Sequence, residues 1–562
     1  MRRSISLICV TTIVCVAATP ARAQDDNSKR LAELARDAAA QFAVARAERE
    51  QTRPTLGVTT VGPAVELTLD EATARALERN LDVAVERLNP QIQDFNLARL
   101  RATYRPTVLS SLSQRHQVQP PASQLNGGLI VQNNQSVYNG GLAQALPWGG
   151  GDFQVNWNNQ RQNTNNSFAN FNPLYSSNFV ASFTQPLMRG FQIDGTRQQL
   201  RVTAINRDIS DIQLQGTLST TVANVRNAYW ELVFAVQAVD VARGSLDLAE
   251  SLVRDNRARV EVGTMAPLDV VQADAEAATR RQALALAEAT MQTAEITLKR
   301  LIVNGTEDEM WRARLTPIDR PEFRPEPLDV EGAVRKALDA RTDLAQARKT
   351  IDSNDVTLRF LRNQTLPAVD FNANYTSQGI GGTQFVRSSL GGDATQEIPG
   401  GFNDALSRLL GRDYPIWQVQ VNVSYPLGGS AADAQLARAR VQRNQSAAQL
   451  RALELQVAAE VTNAALQVES SLKRYEASAV ARELAQTRLE AEQSRFEVGL
   501  STNFFVVQAQ RDLATAQNTE LRALLDYRRA QVDYSRVQEA PAARGGGITA
   551  IQAGAQAQAQ GF

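Results

Sequence analysis

The side chains that most often carry chemistry are scarce in this chain. Of 562 residues, one is histidine and two are cysteine. His116 lies in a polar segment, the setting of an ordinary surface residue. A Ser-His-Asp relay would have to use it, and a zinc site would have at most one imidazole. Cys9 and Cys15 both fall within the first 23 residues, so a chain processed after them has no thiol, disulfide or cysteine metal site. Acidic and basic residues balance at 59 each and scatter along helical faces as solvated charge. There is no Walker motif and no basic stripe of the kind nucleic acid requires. These residues point to no cofactor, no metal site and no enzyme.

The patterned residues are instead turn glycines and their neighbours. Glu261-Val262-Gly263, followed by Val270-Val271-Gln272-Ala273, returns as Glu497-Val498-Gly499, followed by Val506-Val507-Gln508-Ala509, at an offset of 236. A second set repeats at an offset of 261: Ala76-Leu77, Asp82, Ala84, Arg87 and Pro106 reappear as Ala337-Leu338, Asp343, Ala345, Arg348 and Pro367. Self-similarity on this scale means one architectural unit used twice. A single catalytic pocket would not call for it.

The elements that position these turns follow in order. Arg2 and Arg3, an apolar run from Ile5 to Ala18, and Ala21-Arg22-Ala23 read as a signal peptide over 1–23. Residues 24–66 are a helical lead-in and linker, with helix signal from Asn27 to Glu50. The first repeat spans 67–303, a Pro-rich linker 304–327, the second repeat 328–538, and 539–562 is a low-complexity tail expected to be disordered. Within each repeat a helix stops at Pro106 or Pro367, and strands follow at about 106–188 and 367–427. A long helix then reverses at a glycine, with tips at 262–267 and 498–503. The heptad seam Leu218, Val222, Val225, Tyr229, Leu232, Val236 and Val239 marks the first long helix, and Val461, Ala464, Val468 and Tyr475 the second. Gly263 and Gly499 suit the left-handed residue that closes a helix. Thr264, Pro267, Ser501 and Thr502 supply cap and first-turn residues for the return.

The strand segments lose charge and gain amides. Trp417, Val419, Val421, Val423 and Tyr425 alternate with Gln418, Gln420, Asn422 and Ser424. Period two, with one apolar and one uncharged polar face, fits a transmembrane barrel strand or a secreted sandwich strand. The clear count is about four strands per chain. Four strands cannot close in lipid, because unpaired edge groups cost several kcal/mol each. Three copies would give twelve. Gly149-Gly150-Gly151 could add a hairpin, inside or outside a membrane.

The duplicated order of these segments resembles the TolC-type outer-membrane efflux protein family. The resemblance rests on Leu67–Asn80 with its copy Leu328–Arg341, on Thr184-Gln185-Pro186-Leu187 with Ser424-Tyr425-Pro426-Leu427-Gly428, and on the two Val-Gly turns. It covers residues 65–538. It implies an α+β membrane protein: a homotrimer whose twelve-stranded barrel sits in outer-membrane lipid and continues as a long periplasmic α-helical barrel. It also implies a passive exit duct for tripartite efflux or type I secretion. In such a system the tips dock onto a periplasmic adaptor fed by an inner-membrane pump. On that reading Val262, Gly263, Thr264, Val498, Gly499, Leu500 and Ser501 are the docking tips, or serve only to reverse the helices. An exported coiled-coil structural or adhesion protein without a pore is the alternative.

The chain also departs from the family pattern. The resemblance implies, from the better-known members, acidic residues six and nine positions after the second-repeat glycine, where this chain has Phe505 and Gln508. The first-repeat aspartate is kept as Asp269. The arginine two positions after the second glycine is replaced by Ser501. These changes suggest a constriction at Asp269, Phe504, Phe505 and Gln508 that closes by dewetting rather than by charge. The alternative is that the phenylalanines pack between helices.

Overall fold

The structure, a computed structural model, describes residues 63–120, 130–166, 168–320, 327–388 and 394–541. The expected signal peptide, most of the lead-in and most of the tail lie outside these residues. In chain order the first repeat contains β1 (Ala64–Leu67), α1 (Leu69–Arg79), α2 (Leu81–Glu86), α3 (Leu88–Ala102), β2 (Thr107–Gln119), β3 (Val131–Ala145), β4 (Asp152–Thr164), β5 (Phe171–Pro186), α4 (Gly195–Glu261) and α5 (Pro267–Ile302). Then come α6 (Glu309–Arg312), β6 (Arg314–Pro317), α7 (Val330–Ala340), α8 (Thr342–Gln364), β7 (Ala368–Arg387), β8 (Ala394–Ile398), α9 (Phe402–Gly411), β9 (Tyr414–Ser424), α10 (Ala431–Glu497) and α11 (Asn503–Val537).

The duplication is visible atom by atom. At the 261 offset, Thr68 caps α1 by accepting from the Glu71 amide, and Asp329 caps α7 by accepting from Gly332. Arg87 donates to the Leu77 carbonyl at 2.8 Å, and Arg348 to that of Leu338 at 3.0 Å. At the 236 offset, α4 and α10 are both 67 residues long, start and end in step, and span about 100 Å. Asp194 and Ser430 cap them, accepting from Arg197 and Asp433. One asymmetry comes from Pro90. It cannot donate to the Glu86 carbonyl, so α2 and α3 are separate where α8 runs unbroken.

The repeats join where β1 and β6 pair in parallel. The main core gathers there. Val225, Tyr229, Leu232 and Phe234 of α4 pack with Leu298 and Ile302 of α5, Leu67 of β1 and Leu315 of β6. A second core sets Ala337 and Leu344 of α7 and α8 against Val457 and Val461 of α10 and Val537 of α11. Beside it, Arg341 is almost wholly enclosed. It donates to Asp343 and Glu460 at 2.7 Å each and to the Val537 carbonyl. Burial works against its charge, but the two carboxylates outweigh this and hold its pKa above the usual value. The stretch expected to be only a linker carries α6 and β6. Asp308 there is held by Arg75 at 2.7 Å and Arg79 at 3.1 Å.

The strand count corrects the sequence expectation. Instead of about four strands, one antiparallel sheet runs β2-β3-β4-β5-β7-β9, with the short β8 also paired to β7. The two extra strands, β3 and β4, are joined at Gly149 and Gly150, both at positive φ (+67° and +69°). That pair of left-handed residues turns a strand back on itself in the sense of the sheet's own twist. Gln185 donates to the Gly149 carbonyl, and a Cβ on Gly150 would lie 2.6 Å from the Gly190 oxygen. The turn is therefore seated against the start of α4, with no room for a side chain.

Candidate functional site

Two regions carry the sequence-identified residues: the helix-reversal tips and the two faces of the sheet. At the first tip the Gly263 amide donates to Val260 and the Thr264 amide to Arg259. At the second, Gly499 donates to Phe496 and Leu500 to Arg495. These are the same bonds at the same offset, made around glycines at φ +79° and +76°. Each satisfies carbonyls that a helix end would leave unpaired. The Thr264 hydroxyl donates back to the Arg259 carbonyl rather than capping the return helix. Thr502 stands at the N-cap of α11 without a side-chain capping bond. Ser501, in the position where the family pattern has arginine, donates to Glu492 at 2.8 Å.

Val262, Val498 and Leu500 are exposed, Leu500 at 81%. Two bare aliphatic knobs and a leucine at the end of paired helices form an apolar cap. Phe504 and Phe505 stand beside it, 62% and 49% exposed, with their rings edge to face at 5.6 Å. Within one chain they do not pack into the helix interface. Gln508 donates to Asp512 on its own helix. The Asp269 carbonyl accepts from Asn503, so its helix is tied to the second tip through the backbone.

Sequence reading missed the groups that hold the tips together. Asn256 of α4 and Asn503 of α11, both enclosed, share a hydrogen bond of 2.9 Å. Arg259 lies 4.4 Å over the Phe496 ring and donates to its carbonyl at 3.3 Å. Glu276 of α5 is 2% exposed and accepts from Arg280 on its own helix and from Arg511 of α11. Burial alone would raise its pKa. The Arg511 hydrogen bond, with the charges of both arginines, overrides this and lowers it. The only sequence signal was position: each residue lies within about four turns of a tip glycine, on the helix face that repeats every three or four residues.

The sheet separates two chemistries. One row across the six long strands is Val108, Leu142, Val155, Ala181, Tyr375 and Trp417; the adjacent row, on the opposite face, is Thr107, Ala143, Gln154, Ser182, Asn374 and Gln418. Toward the loop ends the apolar face gives way at Trp157 and Phe179 to Asn159, Ser177 and Gly379. There α9 lies on the sheet. Phe402 meets Tyr138 and Tyr175 edge to face, and Ser377 donates to the Leu409 carbonyl at 3.0 Å. An apolar band closed by aromatics, with amides behind it, is the layout of a membrane barrel wall. His116 pairs with Asn134 within this sheet.

Among the described residues no helix is long and apolar enough to cross a membrane, and no group of three or more His, Cys, Asp or Glu is placed to hold a metal. The arrangement can line, hold and close a passage.

Comparison with known proteins agrees with this geometry. The chain is 23% identical over 452 residues to the outer membrane efflux protein BepC of Brucella suis, with 80% of each chain covered. Its fold matches the outer membrane channel CmeC of Campylobacter jejuni, with TM-score 0.60 and 13% identity over 84% of this chain and 85% of that one. It also matches the open state of the MtrE outer membrane channel of Neisseria gonorrhoeae, with TM-score 0.57 and 17% identity over 87% and 93%. The model of the outer membrane efflux protein family matches residues 151–304 and 333–535, one segment in each repeat. Amphipathic strands, paired long helices and glycine-closed tips, each present twice, are thus features of one lineage, and the chain belongs to the outer membrane efflux protein family.

Proposed function

We propose that this protein is the outer-membrane exit duct of a tripartite efflux or type I secretion system, working as a homotrimer that conducts cargo passively. One observation carries the reading. The same chain supplies a sheet with an apolar outer face and an amide-lined inner face, and two helical hairpins of about 100 Å that continue from it. The sheet suits the outer membrane of a Gram-negative cell, and the hairpins are long enough to reach deep into the periplasm. Energy comes from an inner-membrane pump, because no energy-coupling motif is present in the sequence.

The tips are the docking site for a periplasmic adaptor. Among Val262, Gly263, Thr264, Val498, Gly499, Leu500 and Ser501, the exposed Val262, Val498 and Leu500 present a small apolar cap that helix reversal alone does not require. In the trimer the exposed Phe504 and Phe505, with Asp269 and Gln508, ring the closed end of the passage. An apolar ring closes to ions by excluding water. Extraction of outer membranes with detergent, followed by mass measurement of the particle, tests the reading. A particle of three chains is expected, and a monomer that dissolves without detergent would overturn it.

A further inference from the structure

We infer that the barrel has eighteen strands, six from each of three chains, closed by β9 of one chain pairing with β2 of the next. This rests on the trimeric duct proposed above and goes beyond it. The twelve strands implied by family resemblance do not accommodate this chain, because β3 and β4 lie within the sheet. β3 pairs with β2 from Thr107↔Ala143 to Gln119↔Val131, and with β4 from Asn133↔Thr164 to Ala145↔Asp152. β4 then pairs with β5 from Asp152↔Thr184 to Gln162↔Leu174. Peeling the hairpin off the wall would break two full ladders, leaving β2 without a partner and β5 paired with β7 alone.

The two edges of the sheet are complementary. β2 and β9 run in opposite directions, as an antiparallel closure requires, and both are exposed along their whole length except at the half-buried Gln117. Each carries the same two-faced pattern: Val108 and Leu112 with Val419, Val421 and Val423 on one side, Ser111 and Ser113 with Gln418 and Gln420 on the other. In hydrocarbon neither edge can stay open. Because β9 of a chain is the other end of the same sheet, the contact is head to tail and closes into a ring.

The stagger of the sheet agrees. Thr107, where β2 begins, shares a row with Gln418, six residues before β9 ends at Ser424. If both ends lie at one level, six residues of about 3.3 Å over six strands about 4.8 Å apart tilt the strands by roughly 35°. Membrane barrels fall at about 35–45°. The same levelling sets Ser111 of one chain opposite Gln420 of the next. Since diameter grows roughly in proportion to strand number, the barrel is about half again as wide as a twelve-stranded one. Selection by size then falls to the helical tips, not to the membrane segment.

The test uses the full-length protein purified in detergent. Its cysteines are confined to positions 9 and 15, so introduced pairs report alone. Oxidised Ser111→Cys/Gln420→Cys protein is expected to run as covalent dimers and trimers, while each single variant stays monomeric in denaturant. Electron microscopy of the unmodified particle should resolve eighteen strands around the barrel. Twelve strands in a three-chain particle would overturn this inference and leave the duct intact. A particle that is not a trimer would overturn the duct, and this inference with it.

Discussion

Glu276 on the return helix of the first repeat and Arg511 on that of the second are joined by two hydrogen bonds, 2.6 and 2.9 Å, to one carboxylate oxygen. They are the strongest polar tie between α5 and α11, and Glu276 is enclosed while Arg511 is half open to solvent. Replacing Glu276 by Gln removes the charge from a site where Arg280 and Arg511 both point. Hydrogen bonds to charged groups contribute about 1.5–3 kcal/mol, and the exposure of Arg511 places this pair toward the lower end. Glu276→Gln should lower the thermal midpoint of the particle, and Arg280→Gln should lower it less. An unchanged midpoint would mean this ion pair does not hold the tips together and that the Asn256–Asn503 bond and apolar packing suffice.

The same pair sets a pH dependence. The Glu276 pKa is lowered on folding, since the arginines outweigh the cost of burial. Its contribution to stability is therefore complete above the ordinary glutamate value of about 4.3 and is lost as pH falls through the lower folded value. Asp308, held by Arg75 and Arg79 against its own burial, behaves alike. Acid below pH 4 should loosen both the tips and the junction of the repeats. Thermal melts from pH 7 to pH 3, compared between the native chain and Glu276→Gln, should converge at the acid end.

The tip glycines and the sheet glycines should respond differently to alanine. Around Gly263 and Gly499 a Cβ would meet nothing within 4 Å, so only the left-handed backbone resists, at about 1–2 kcal/mol. At Gly379 a Cβ would sit 1.8 Å from the Ala405 carbonyl oxygen, which is backbone. Gly379→Ala should push α9 off the sheet. Limited proteolysis within 402–411 should then rise sharply, while Gly499→Ala should leave it unchanged.

Phe505→Asp tests the constriction. If the phenylalanines close the passage by excluding water, a carboxylate there should raise conductance in planar bilayers several-fold and favour cations. Unchanged conductance and selectivity would assign these rings to packing between chains instead. Because Phe505 is half exposed within the chain, the substitution should cost the fold little.

The sequence by itself determined what local periodicity and repetition can encode. The 236 offset located both hairpins, and the 261 offset the helices that precede the strands. The glycine tips were legible because a left-handed residue leaves few choices. Strand number was not, because alternation marks a strand but says nothing of its neighbours. In β3 the alternation is blurred by Gly140 and Gly141 within Val137–Leu142. One signal was present all the same. The offset falls from 261 before the strands to 236 after them, so the first repeat holds 25 more residues there, the length of a hairpin. Only the tertiary structure decided that this hairpin lies in the wall, that α9 covers Gly379 and that Glu276 meets Arg511. The last two join residues 26 and 235 positions apart, and all three depend on how whole elements pack, which no local pattern records.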